Sequence, residues 1–395
     1  MRIALDVRYL GMVIGHRANA EMLMGIGAYS YQLARHLIGA GTGDQFFLVT
    51  DSSARQIAEL LPGAAVLTIP AGWRLPLARA TVGRLYRGLV SDRLALGALN
   101  RRYRFDIMHH LNPDIMPQPG AALRTVVTVH DMSYSLFPEQ VFRNGASRRV
   151  WAFQARTWSR SGLIVTDSEA TRRDVIKHCL AAPERVMTIH CGADDRFSDV
   201  THPDDAAALM RHGIHPPYFL HVGSIQPSKN IDNLLTAMAI IAKQDADIRL
   251  VIVGELSFFP LERKRMERLV TGLGLGNRVH CTGFVSVRDL PAIYRHARAL
   301  VHPSWYEGFG LTPVEAGACG CPAVISDRGS LPEVMGRAGL SIDPAKPEAI
   351  AAGMREMLDD GVRERYARLS KRQAGRYSWR VAAARVRNAY QSLLD

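Results

Sequence analysis

The stretch from Ser304 to Pro322 (SWYEGFGLTPVEAGACGCP) concentrates residue types that could handle a phosphorylated, hydroxyl-rich molecule. A strand is predicted to end at Pro303, a glycine-containing loop follows, and a helix is predicted with Pro313 as its first residue. The free N–H groups and positive dipole end of such a helix form a site for a pyrophosphate. Gly308 and Gly310 let backbone donors approach a ligand with no Cβ in the way. Glu307 and Glu315 flank the turn and can accept from sugar hydroxyls on either side. Glu315 has a second reading, because Thr312-x-x-Glu315 fits a capping box that would merely satisfy the helix end. Glu307, in a glycine-rich loop at a strand's carboxyl end, has less structural reason to be acidic.

Residues 220–235 (LHVGSIQPSKNIDNLL) run from a strand through a turn at Pro227 to Lys229, just before a helix. A cation beside a helix N-terminus opposes the helix dipole, so it calls for another partner; a diphosphate is one, and solvent is the plainer alternative. At 125–133 (TVVTVHDMS) a β-rich run delivers His130 and Asp131 to the carboxyl end of a parallel strand, where ligands of open α/β sheets bind. A histidine at a strand end is also a common structural residue. The segment from Gly25 to Tyr29 (GIGAY) enters a helix over 30–38 and alone is a weak phosphate-loop signal. Ser168-x-x-Thr171 reads best as an ordinary N-cap, and Gly283, Phe284 and Val285 close a strand of the second half.

At these residues the chain resembles family 4 of the glycosyltransferases, retaining enzymes of the two-Rossmann type called GT-B, and the similarity runs through most of its length. The family's mark is two glutamates separated by seven residues, here Glu307 and Glu315 within EGFGLTPVEA. The resemblance implies that Glu307, Gly308, Phe309 and Gly310 meet the donor sugar, that Leu311 and Thr312 belong to the same donor-binding run, and that Glu315 holds the ribose hydroxyls. It makes Lys229 a ligand of the donor phosphates, with Ser224 where an arginine is usual. HDMSYSLFPE, from His130 to Glu139, is similar to the family segment that places His130 against the donor sugar opposite Glu307. Gly27 falls at the donor–acceptor junction, with Ala28 in place of the usual arginine, and Phe284 in the base pocket.

The implied catalytic residues are therefore His130, Lys229 and Glu307, none of them a covalent nucleophile, with no cofactor and no metal. The implied mechanism is front-face substitution through an oxocarbenium-like state. Lys229 and a helix N-terminus stabilise the departing diphosphate, which itself accepts the incoming hydroxyl's proton. The segments at 223–230 and 130–139 look most like bacterial polysaccharide mannosyltransferases. The expected partners are thus a nucleoside diphosphate sugar, GDP-mannose first and UDP-hexoses as the alternative, and a saccharide or lipid-linked acceptor. The residues at 28 and 224 keep open a protein that binds a nucleotide sugar without turnover. A phosphorylase would need a lysine for pyridoxal phosphate and a longer chain.

These residues need a scaffold that brings strand ends together, and the rest of the chain supplies one. Apolar, β-branched runs fall at 2–7, 46–50, 66–70, 106–110, 124–130, 163–167 and 186–190, then at 218–222, 249–253, 278–282, 299–302 and 323–326. Amphipathic helices lie between them, for example at 231–242, 261–271 and 347–358. Strands alternating with helices mean parallel sheets covered on both faces. The expected fold class is α/β, two doubly wound Rossmann-like domains facing a cleft. The expected boundaries are 1–195, a linker at 196–217, a nucleotide-sugar domain at 218–375, and a C-terminal helix at 376–395 returning to the first domain. A closed eight-stranded barrel is disfavoured by the polar stretch and by the strand count.

Length and composition agree with two cores, since 395 residues exceed what one usually supports. No run of eighteen apolar residues and no signal-peptide pattern is present, so a cytoplasmic protein is expected. The five cysteines read as buried thiols in a reducing compartment, and Cys319-x-Cys321 lacks further ligands at metal spacing. The net charge of +12 is concentrated. Between Trp73 and Arg104 arginine occurs at 74, 79, 84, 87, 93, 101, 102 and 104 against the single acid Asp92, beside apolar positions Val82, Leu85, Tyr86, Leu89, Val90, Leu96 and Leu99. This basic amphipathic helix reads either as a peripheral anchor on an anionic membrane surface or as a packed helix with a solvated arginine face. No nucleic-acid-binding module accompanies the charge.

Overall fold

The computed structural model describes residues 1–17, 23–69, 92–113, 123–141, 145–245 and 247–395. They form two compact units, Met1–Cys191 with Trp379–Asp395, and Gly192–Ser378. In the first, β1 (Arg2–Asp6), β2 (Gln45–Thr50), β3 (Ala65–Thr68), β4 (Ile107–His110), β5 (Arg124–Val129), β6 (Leu163–Thr166) and β7 (Val186–Thr188) make one parallel sheet. Its order is β3-β2-β1-β4-β5-β6-β7. In the second, β8 (Tyr218–Val222), β9 (Arg249–Val253), β10 (Val279–Gly283), β11 (Ala299–His302), β12 (Ala323–Ser326) and β13 (Gly339–Ile342) give the parallel order β10-β9-β8-β11-β12-β13. The winding reverses between β1 and β4 in one sheet and between β8 and β11 in the other. Those are the points where strand ends leave a crevice for a ligand.

The strands are nearly all apolar because helices bury both faces of each sheet. In the second unit the Ile231–Ala242 helix buries Leu234, Leu235, Met238 and Ile241 completely, and Ile350 and Met354 of the Pro347–Glu356 helix join the same core. Each such side chain contributes roughly 1.5–3 kcal/mol of transfer free energy. One strand, β13, is not visible as an apolar run because Gly339 opens it and Ser341 interrupts it. Gly339 is there for packing, since a Cβ would lie 2.6 Å from Ile325 Cδ1 on the neighbouring strand.

The stretch read as a linker carries structure of its own and lies within the second unit. The Asp205–Arg211 helix buries Ala208 and Leu209, and Asp205 pairs with Arg295 at 2.5 Å. The Trp379–Leu394 helix lies within the first unit. Its Tyr390 hydroxyl meets His109 Nδ1 at 2.6 Å, Arg385 donates to the Thr188 carbonyl, and Arg387 pairs with Asp44.

Of the basic segment, Arg74, Arg79, Arg84 and Arg87 and the apolar positions 82–90 lie outside the described residues. The part described, the Asp92–Tyr103 helix, packs Ala95, Leu96, Leu99 and Tyr103 into the first unit's core and leaves Arg93, Arg101 and Arg102 exposed. For these positions the apolar stripe belongs to the fold and is not free to meet a membrane. Among the described residues no helix is long and apolar enough to cross one.

Candidate active site

In the second unit two loops at the ends of β8 and β11 are fastened to each other. Asn230 adopts a left-handed backbone (φ 58°), which asparagine tolerates, and its buried amide donates to the carbonyls of Pro303 and Pro344 at 3.0 and 2.7 Å. The Trp305 N–H donates to the Ser228 carbonyl at 2.8 Å. This pinning brings Lys229 and Glu307, 78 positions apart, into an ion pair with Nζ 2.6 Å from Oε1. The same oxygen accepts from His302 Nε2 at 2.8 Å. Burial alone would raise the Glu307 carboxyl, but the Lys229 charge and the His302 hydrogen bond outweigh it and hold the group well below the usual carboxylate range. His302 closes β11, is 2% exposed and stacks at 5.7 Å on His221 of β8, whose Nδ1–H donates to the Val301 carbonyl. Burial drives His221 down to about 3, so it stays neutral.

The loop after Glu307 is held from behind. The Ser330 hydroxyl lies 2.9 Å from both the Glu307 and the Phe309 carbonyl. At Gly329 a Cβ would come within 3.1 Å of the Glu307 nitrogen. Phe309 is buried edge-on against Tyr377. Gly310, at φ 94°, is the N-cap of the Leu311–Ala318 helix, and no side chain caps it.

The helix therefore begins two residues before Pro313, Thr312 lies inside it, and the capping box suggested by Thr312-x-x-Glu315 does not form. Glu315 instead accepts from the Tyr294 hydroxyl at 3.3 Å. Burial, with Asp194 adding negative charge, pushes its carboxyl up to about 7. The unfolded group releases its proton near 4.5 and the folded one near 7, so between those values the folded state binds more protons and stability falls as pH rises. Glu315→Gln is expected to flatten that fall, at most roughly 3 kcal/mol, in chemical denaturation at pH 5 and pH 7.5. A slope equal to wild type would mean that the half-buried Glu315 carboxyl keeps its hydration in the folded state.

Three glycines, Gly223, Gly254 and Gly283, stand at the carboxyl ends of β8, β9 and β10, all at positive φ. The Gly223 N–H donates to the Val253 carbonyl and the Gly254 N–H to the Gly283 carbonyl. Their bare backbones form a floor whose Gly223 end lies beside the Lys229 stem, and Ser224 and Phe284, the next residues after Gly223 and Gly283, are half-buried.

His130 and Gly27 lie in the first unit. His130 follows β5 and faces two acceptors, Asp167 Oδ2 at 2.7 Å from Nδ1 and the Leu111 carbonyl at 2.8 Å from Nε2. Two acceptors require two N–H groups, so although burial opposes the charge, Asp167 and Leu111 raise the histidine above its ordinary value. Tyr29 lies edge-on to the ring at 4.5 Å. Neither nitrogen can serve a ligand without exchanging one of these bonds. Gly27 is buried in the Ile26–Gly39 helix, where a Cβ would make only ordinary contacts with Leu23 and Val13. At this sheet's own switch point the ends of β1 and β4 hold a buried cluster, in which Asp6 takes Arg8 at 2.7 Å and His110 Nδ1 at 3.0 Å. Among the described residues no group of three or more His, Cys, Asp or Glu is arranged to hold a metal.

His302, Ser330, Gly254 and the Asp6 cluster are absent from the sequence reading. The available signal was a polar residue or glycine directly closing an apolar strand, which occurs at His110, His302, Gly223 and Gly254.

Two doubly wound parallel sheets, one in each unit, with an acid–lysine pair at the switch point of the second, are the make-up of the GT-B fold. Residues 24–197 match the family described as Glycosyltransferase Family 4 and residues 211–376 that described as Glycosyl transferases group 1. The chain is 31% identical over 278 residues to the O-antigen chain mannosyltransferase B of Escherichia coli, covering 70% of this chain and 72% of that one. It is 30% identical over 391 residues to the D-inositol 3-phosphate glycosyltransferase 1 of Catenulispora acidiphila, covering 94% and 91%. A solved structure of Alr3699/HepE from Anabaena in complex with UDP-glucose superposes with a TM-score of 0.74 at 18% identity, covering 99% and 100%. The chain belongs to the family 4 glycosyltransferases and is a hexosyltransferase.

Proposed function

We propose that this enzyme transfers a hexose with retention from a nucleoside diphosphate to a hydroxyl of a saccharide or lipid-linked saccharide, in the synthesis of a surface polysaccharide. Mannose from GDP-mannose is the first candidate donor. The observation that carries the reading is the Lys229–Glu307 pair at 2.6 Å, a cation and a hydroxyl acceptor side by side where the second sheet reverses. The likeness to an O-antigen mannosyltransferase supports the sugar and the acceptor class.

Lys229 and the N–H groups that begin the Leu311–Ala318 helix stabilise the negative charge that grows on the departing diphosphate. Glu307 orients a sugar hydroxyl and, held as a carboxylate by its two donors, takes no proton. Glu315 accepts from the ribose. His130 is carried as a catalytic residue whose ring reaches a ligand only by releasing the Leu111 carbonyl or Asp167. The departing diphosphate accepts the acceptor's proton.

The test is a thermal-shift screen of GDP- and UDP-sugars, since a donor at a hundred times its dissociation constant adds about 2.7 kcal/mol. Retention follows from the anomeric configuration of the product by NMR. A UDP-hexose that outperforms GDP-mannose would replace the donor, and binding without acceptor-free hydrolysis or transfer would leave a nucleotide-sugar-binding protein.

The arginines between Trp73 and Arg104 carry a second proposal, peripheral docking on an anionic membrane from the cytoplasmic side. Each basic residue near such a surface contributes about 1 kcal/mol, fading within a Debye length of ~8 Å at physiological salt. Changing Arg79, Arg84, Arg87 and Arg93 together to Gln is expected to abolish co-sedimentation with anionic vesicles at low salt while sparing turnover of a soluble acceptor. Undiminished co-sedimentation would remove these residues from any membrane contact.

A further inference from the structure

Both hydrogen bonds to the Glu307 carboxylate arrive on Oε1, and among the described residues Oε2 receives none. The two donors differ in kind. His302 belongs to a strand, is buried, and is wedged against a second imidazole that is itself tied to the backbone. Lys229 ends a short turn, reaches Glu307 on a flexible four-carbon stem and is 19% exposed. One donor is fixed and the other can leave.

From this we propose that Glu307 is an internal competitor of the diphosphate for Lys229, and that His302 is the positioning residue that holds Glu307 when Lys229 is drawn to phosphate. The proposal rests on Lys229 being the diphosphate ligand. A bare diphosphate must break the ion pair and gives Glu307 nothing in return. A sugar diphosphate offers a phosphate to Lys229 and a hydroxyl to the unused Oε2, with His302 keeping the carboxylate aimed. The pair thereby discriminates the intact donor from the spent nucleotide and favours release of the product after transfer. His302 also sets the strength of the competition, because a carboxylate deprived of its second donor binds Lys229 more firmly.

Opposite signs follow, which a merely structural role for either residue does not produce. In calorimetric titrations with GDP, UDP and inorganic pyrophosphate, Glu307→Gln is expected to tighten the bare diphosphate roughly fivefold to tenfold, about the worth of a partly exposed ion pair. The same variant is expected to raise the donor KM. His302→Leu is expected to weaken the bare diphosphate severalfold, and His302→Gln, which keeps an N–H donor, to restore it. Lys229→Ala is the check on the underlying reading. If it leaves all three probes unchanged, or if none binds wild type or Glu307→Gln, Lys229 is not the diphosphate ligand. If Lys229→Ala weakens binding but Glu307→Gln fails to tighten it, the competition is overturned and the ligand assignment stands. His302→Gln failing to restore what His302→Leu loses removes His302 from the positioning role. Should His302→Leu not fold, Glu307→Gln, an isosteric change at a site 14% exposed, still decides the competition.

Discussion

Lys229→Ala is expected to lower kcat/KM by roughly 30- to 1,000-fold, the loss of about 2–4 kcal/mol that follows removal of one preorganised donor to a developing charge. Lys229 is the cation held at the switch point by a bonded framework. Asn230 pins its loop to Pro303 and Pro344, the Trp305 amide pins Ser228, and Glu307 receives the ammonium at 2.6 Å. With serine at 224, where the family usually has arginine, Lys229 carries the phosphate charge together with helix N–H groups. Lys229→Arg keeps the charge but replaces a point donor with a planar fork, so it is expected to fall between wild type and alanine. Ser224→Arg is expected to tighten the donor. Steady-state kinetics with the best donor decide the matter, and a loss of less than about threefold for Lys229→Ala would take the residue out of the site. The melting temperature of Lys229→Ala separates a catalytic loss from a folding one, because removing the cation leaves the carboxylate of Glu307 with His302 as its donor.

What the sequence made legible follows from which residues look out of place. An acid between tyrosine and glycine at a strand end, and a lysine beside a helix N-terminus, both run against local preference, and both stand where the second sheet reverses. The parallel sheets were legible because strands such as Leu163–Thr166 and Tyr218–Val222 are buried on both faces and read as unbroken apolar runs. His302 was hidden for the same reason. One polar residue ending an apolar strand looks like ordinary strand fraying, and only the fold shows that its ring faces an acid five residues on.

The helix after Glu307 was misplaced by two residues because the chain starts it with a left-handed glycine at 310 in place of a side-chain cap. Sequence patterns of helix entry describe caps, not backbone reversals. The stretch 196–217 looked like a linker because it is polar and has no apolar strand run, yet Asp205 is buried against Arg295, 90 positions away. Pairings at that distance leave no local trace.

Gly254→Ala is expected to be the most destabilising single methyl in the second unit. A Cβ there would stand 1.9 Å from the Gly223 carbonyl oxygen and 2.8 Å from its carbon. Neither atom can rotate away, since both are backbone at the end of β8, and the Gly223 N–H is bonded to the Val253 carbonyl. Relief requires the two strand ends to part, which breaks that bond or the one from Gly254 to Gly283. A loss of about 3–5 kcal/mol is expected, equivalent to a fall of roughly 10 °C in melting temperature for a unit of this size. The site moves with the fold, because Gly223 is next to it: a Cβ built there would stand 3.9 Å from the Lys229 stem and 3.7 Å from His221 Nε2. Diphosphate affinity is therefore expected to fall at temperatures where the variant is still folded. Gly272→Ala is the control, since a Cβ there meets nothing within 4 Å and its melting point is expected to stay near wild type or rise slightly. Melting curves of the two variants side by side, with pyrophosphate titrations below the transition, separate a local clash from a general intolerance of alanine. If Gly254→Ala melts with wild type, the strand ends do not approach as described, and the glycine floor beside Lys229 loses its basis.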